Sequence, residues 1–160
     1  MATWSEVASD VPEFAARVQA LFDARKHKTM ATLRRDGSPR ISGIEMQFVA
    51  GRVTFGMMDR SMKALDIQRD PRVAFHSPSV DPPEADNSAW VGEAKLSGRA
   101  VARSDGDGGG DSDGDGDGGS DGGGGYEVDI EEIALTYLGD GQLVIESWHP
   151  GLGHRRRTRD

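Results

Sequence analysis

Between Ile44 and Met57 apolar and polar residues exchange places at nearly every step, and such a run permits few folds. Ile44, Met46 and Phe48 alternate with Glu45 and Gln47; Val53, Phe55 and Met57 alternate again beyond a turn at Ala50-Gly51. A period of two sends one set of side chains to a buried face and the other to water, as in an antiparallel sheet covered on one side. Just upstream, residues 29–33 read as a strand. Arg35-Asp36-Gly37-Ser38 then supplies a hairpin turn, with glycine where a positive φ is needed.

The flanks fit around this meander. Asp10 followed by Glu13, with Pro12 between them, predicts a capped helix start, with Trp4 and Val7 in a preceding turn. Phe14, Val18, Leu21 and Phe22 then fall on one helical face. A second helix is predicted from near Asp59 to Asp70, ended by Pro71, because the residue before proline avoids the α region. Residues 73–75, 90–102, 126–138 and 143–148 read as further strands, with a loop at 77–88 and a turn at Gly139-Asp140-Gly141. Six or seven strands and two helices, joined mostly by hairpins, define a mainly β (α+β) chain. The fold expected is a closed or nearly closed antiparallel barrel with peripheral helices.

Residues 104–125 hold only Gly, Asp and Ser and can bury almost nothing. The tract carries seven aspartates and no Lys or Arg, so without it the formal charge moves from −8 to −1. The folded part is nearly neutral, which argues against a nucleic-acid partner. Asp111-Asp113-Asp115-Gly116 and Asp113-Asp115-Asp117-Gly118 imitate the first half of a calcium loop. The twelfth positions, where a bidentate glutamate belongs, are Gly122 and Gly124. The tract is expected to be a disordered loop inserted between strands of a single domain spanning 1–160.

The chain has no cysteine, hence neither disulfide nor thiolate chemistry. Its N-terminus does not resemble a secretion signal and no apolar run reaches the ~20 residues of a membrane span, so no membrane partner and a cytoplasmic location are expected. His27, His76, His149 and His154 show no metal-ligand spacing, and no catalytic residue or metal ligand is assigned.

The chemistry concentrates at one corner. Arg60, Ser61 and Lys63 stand where a strand hands over to the second helix, at the positive end of its dipole. Cations there are unfavourable unless something negative sits nearby, and helix N-termini bind phosphates readily. The alternative is a surface corner capped by Asp59 or Ser61, with both cations in water.

The stretch MATLRRDGSPRISGIEMQFVAGRVTFGMMDRSMKALDIQRDPRVAF resembles the pyridoxamine 5'-phosphate oxidase-like proteins, the flavin- and deazaflavin-binding split β-barrel family. The family's features are a strand, an Asp-Gly hairpin followed by Pro, two more strands, a Ser-Arg-Lys corner, a short helix and Asp-Pro-Arg-Val, and all but one stand here at compatible spacing. They match well over residues 28–76 and more loosely over 90–148. The resemblance implies a six-stranded antiparallel split β-barrel and a homodimer with the cofactor, FMN or coenzyme F-420, between subunits. It implies phosphate contacts from Ser61 and Lys63, with Met62 where arginine is usual and Arg60 compensating. Arg40 would contribute to the same phosphate. Ser42 through Glu45 and Gly56 through Met58, including Met57, would line the ring system. Glycines at 43 and 56 either admit a flat ring or mark a bulge or barrel corner.

Two readings follow. One is an oxidoreductase acting on a small-molecule substrate, the cofactor supplying the redox chemistry. The other is a carrier of flavin or haem without turnover. The C-terminal SWHPGLGHRRRTRD lacks the arginine and histidine pattern of vitamin B6 oxidation. Trp148 and Arg155-Arg156-Arg157 are expected either to reach a neighbouring subunit's pocket or to form a closing strand residue and a solvated tail. Half-open strands bearing Met46, Phe48, Phe55 and Met57 are expected to need a partner surface.

Overall fold

The computed structural model describes residues 1–103 and 125–159. Among them are three α-helices, α1 (Trp4–Asp10), α2 (Pro12–Asp23) and α3 (Met62–Arg69), and eight strands. The strands are β1 (His27–Leu33), β2 (Pro39–Val49), β3 (Arg52–Gly56), β4 (Arg72–His76), β5 (Glu93–Ala102), β6 (Gly125–Gly139), β7 (Gln142–His149) and β8 (Gly153–Arg159). The order β3-β2-β1-β4-β5-β6 closes on itself through β3–β6, giving a six-stranded antiparallel barrel that β7 and β8 extend. No helix among the described residues is long and apolar enough to cross a membrane.

Closure rests on a short seam. Thr54, Phe55 and Gly56 face Glu127, Tyr126 and Gly125. The Phe55 and Tyr126 rings stack at 5.5 Å, and Arg52 pairs with Glu127 across the join. The alternation read from the sequence fills the interior: Ile44, Met46, Val53 and Phe55 are buried. Ala50 and Gly51 both adopt positive φ, as the tight β2–β3 turn demands.

The residues expected to need a partner surface find their cover inside the chain. Met46 and Phe55 are core, Met57 packs against it, and Phe48 lies between Trp4 at 4.4 Å and Phe22 at 5.9 Å. The N-terminal helices cover Phe48, while Met46 and Phe55 are buried within the barrel core, so these side chains give no physical argument for a dimer.

The helix that carries Phe14 to Phe22 begins at Pro12, as expected, but Asp10 does not cap it. Trp4 and Val7 lie not in a turn but in a separate helix, α1, capped by Thr3: its hydroxyl accepts from the Glu6 amide while Glu6 accepts from the Thr3 amide. Asp10 ends α1, and Val11 precedes α2 without a side-chain cap. The Asp10 carboxylate instead accepts a 2.8 Å bond from Trp148 Nε1. Trp148 is therefore buried in its own chain, not presented to a neighbour. The arginine run is not a tail either. Arg155, Arg156 and Arg157 belong to β8, in register with Ser147, Glu146 and Ile145. Buried Glu146 ties this corner together, accepting from Arg17 at 3.1 Å and Tyr137 at 2.7 Å, with His154 Nε2 also 2.7 Å away. Burial opposes its ionisation, yet the bonds from Tyr137 and His154 and the charge of Arg17 hold its carboxyl below the ordinary value.

The tract at 104–124, with its disorder and calcium-loop readings, lies outside the described residues. Gly125, assigned to it from the sequence, opens β6.

β5 and β6 shift register between Ser97 and Gly98, where the backbones approach closely. A Cβ on Gly98 would stand 2.0 Å from the Asp129 carbonyl oxygen, which cannot move aside. Gly98→Ala is expected to cost roughly 2 kcal/mol in chemical denaturation. Gly56→Ala, which meets nothing within 4 Å, is expected to shift stability by no more than about 0.5 kcal/mol.

Candidate functional site

The exposed face of β2 and β3 carries a groove of about 630 Å³ that runs to the start of α3. Such a volume suits a small-molecule site. Gly43, Glu45 and Gln47 contribute from β2, Thr54 and Gly56 from β3, Met57 and Met58 from the following loop, and Lys63 from α3. His27, Arg103 and Gly125 complete the wall.

The glycines leave room instead of filling it. A Cβ at Gly43, Gly56 or Gly125 would meet nothing within 4 Å. β1–β2 pairing runs through Gly43 without a register shift, so Gly43 marks no bulge. Three open backbone positions on one wall let a flat group lie against the strands.

The corner beside the groove is built by α3. Ser61 caps the helix, its hydroxyl accepting from the Ala64 amide at 3.3 Å. The helix therefore starts at Met62, and Arg60 falls in the preceding turn, exposed. Met62 is exposed as well. Lys63 sits in the first turn and reaches back to donate a 3.1 Å bond to the Gly43 carbonyl. A cation is thus held at the positive end of a helix, against the opposite wall of the groove. Ser61 is beside the groove as a cap; Arg60 and Met62 do not line it.

Strand alternation separates two further residues from the groove. Arg40 and Ser42 fall on the β2 face of Ile44 and Met46, opposite Gly43 and Glu45. Arg40 Nε donates at 2.7 Å to Asp66, which is buried on α3 and also accepts from Thr32 Oγ1 at 2.8 Å and an Arg69 nitrogen at 3.0 Å. Burial opposes ionisation of Asp66, but these three donors outweigh it and hold its carboxyl at about 2. Arg40 therefore positions α3 through Asp66 and stands on the far side of β2 from the groove lining.

His27, Gln47, Thr54 and Arg103 were not singled out from the sequence. His27 Nε2 lies 3.4 Å from Glu45 Oε1, and Lys26 Nζ lies 3.3 Å from the same oxygen. Their signal was available in the period of two, which places Gln47 with Glu45 and Gly43, and in pairing across the hairpin. Arg103 reaches the groove only because β5 and β6 end beside β3, which no local pattern reveals.

No family model matches the chain, and no curated protein does. Solved structures do. The chain is similar over all its length, and 98% of the other, to a pyridoxamine 5'-phosphate oxidase-related, FMN-binding protein from Nostoc punctiforme PCC 73102, at TM-score 0.60 and 14% identity. PhzG from Burkholderia lata 383, solved with tetrahydrophenazine-1-carboxylic acid, matches at TM-score 0.60 and 14% identity, covering 93% of this chain and 87% of that one. A heme-binding protein from Mycobacterium smegmatis matches at TM-score 0.54 and 13% identity, covering 89% and 86%. The chain has the split-barrel fold of the pyridoxamine 5'-phosphate oxidase-like proteins.

The Asp66 anchor gives a pH signature. Its carboxyl is lowered on folding, so its stabilisation is complete above the ordinary value of 3.8 and is lost as pH falls through about 2. Asp66→Asn is expected to cost about 3 kcal/mol at neutral pH, because Arg40 loses its ion partner. The gap between variant and wild type should close between those two values in denaturation series; a gap independent of pH would refute the assignment.

Proposed function

We propose that the groove binds an anionic, planar redox cofactor, FMN or alternatively coenzyme F-420, and that the protein is an oxidoreductase acting on a small molecule. The observation that carries the reading is Lys63: a first-turn cation at the positive end of α3, facing a wall of three open glycines. When bound, the cofactor supplies hydride or electron transfer. The chain's own residues do the holding. Lys63 and the α3 amides attract the phosphate, Arg60 adds charge from the preceding turn, and Gly43 and Gly56 let the ring rest on the strands. The donor set suits an anion, because Lys63 is free to exchange a neutral carbonyl for a charged oxygen.

A non-catalytic carrier on the same fold is the second reading. A heme-binding protein shares the architecture, and His27 brings to the groove an imidazole, one of the side chains that ligate haem iron.

On this proposal the protein works as a homodimer. Ile41, Met58, Met62 and Leu65 are exposed apolar side chains on the segments flanking the groove, suited to a second copy. Sedimentation is expected to give a dimer at micromolar concentration; a clean monomer there would count against it.

Purified protein is expected to be yellow, or, if colourless, to take up added F-420. Lys63→Ala should weaken cofactor binding about ten- to a hundredfold with little change in melting, and Arg60→Ala should weaken it less. Unchanged binding in the double variant would reject the anion corner. A Soret band after haem addition, lost in His27→Ala, would favour the carrier.

A further inference from the structure

A second cavity, of about 350 Å³, opens where α2 runs into β1, on the other side of Glu45 and Gln47 from the groove. Its charged lining is Arg25, Lys26 and Lys28 against Asp23 and Glu45. Lys28 is the unusual member. Alternation along β1 turns it to the same face as Met30 and Thr32, and it is 7% exposed.

Burying an ammonium is costly unless it is paired. Lys28 Nζ donates 3.1 Å to the Lys26 carbonyl, one use for a group with three donors. Among the described residues it meets no carboxylate. Glu45, the acid on the shared wall, is engaged by Lys26 and His27. The negative end of the α2 dipole favours cations nearby, but exposed Arg25 and Lys26 already serve it. That dipole gives no reason to sink a third cation, carried on a strand, into a cavity floor.

We propose that this cavity is a separate binding site for a small oxyanion, a phosphate either free or carried by a small metabolite. The buried Lys28 ammonium anchors the anion, and Arg25 and Lys26 guard the rim. The shared wall of Glu45 and Gln47 keeps the site distinct from the groove.

The test is thermal unfolding of the full chain at constant ionic strength, titrated with inorganic phosphate or with glycerol 3-phosphate, chloride serving as the control. Wild type is expected to show a saturable rise in Tm, as a ligand binding only the folded state must produce. Lys63→Ala, which removes the groove's own phosphate corner, is expected to keep a saturable rise and serves as the background for the other variants. Lys28→Met retains the stem and removes the charge; added to Lys63→Ala it is expected to abolish the rise while melting no lower than Lys63→Ala in phosphate-free buffer. A response to both probes identifies the phosphate group as the ligand; a response to the ester alone identifies a metabolite. Should Lys28→Met fail to fold, Arg25→Gln is expected to raise the half-saturating phosphate concentration severalfold. No saturable rise in Lys63→Ala, a rise in that background that survives Lys28→Met or that Arg25→Gln leaves at its starting half-saturation, or a Lys28→Met Tm lowered equally at every phosphate concentration would overturn the proposal.

Discussion

The arrangement depends on one buried carboxylate. Asp66 takes hydrogen bonds from Thr32 on β1, Arg40 on β2 and Arg69 one helical turn away, and so locks α3 onto the first hairpin. Everything proposed for the groove follows from that lock. With α3 fixed, its first turn points at β2, and Lys63 meets Gly43. Without it, α3 would be held to the barrel by the burial of Ala64 and Ile67 and by the Arg69 bond to the Leu33 carbonyl, with no ion pair to β2.

The same hairpin serves two faces. The period of two sends Arg40 and Ser42 toward the anchored helix and Gly43, Glu45 and Gln47 toward solvent, so one strand both positions the helix and lines the groove. This division changes how the arginine is understood. Its charge is spent on Asp66, which leaves Lys63, with Arg60 from the turn before it, as the cations at the α3 end of the groove. The open glycines supply the complementary surface. A cation at one end and bare backbone along the wall fit a flat molecule with a charged tail.

The barrel was legible because its interior is written in alternation. Ile44, Met46, Val53 and Phe55 are core as the pattern requires, and Ala50-Gly51 turns where the glycine indicates. What escaped notice lacked a local signal or had a misleading one. β8 reads as a solvated tail because an edge strand can be held by backbone pairing alone, leaving its arginines exposed; only the preceding Pro150-Gly151 hinted at a hairpin. Asp10 looks like a helix cap but is spoken for by Trp148, a partner 138 positions away. The corner at Ser61 and Lys63 was singled out by charge and dipole together with the family resemblance, whereas the positions of Arg40 and Arg103 follow from tertiary placement.

The most direct measurement is a crystal structure of the protein soaked with FMN and, separately, with F-420. The account predicts density along Gly43 and Gly56, with a phosphate oxygen within hydrogen-bond distance of Lys63 Nζ and of the first α3 amides. A groove that stays empty at saturating cofactor, with Lys63 still bound to the Gly43 carbonyl, would contradict it.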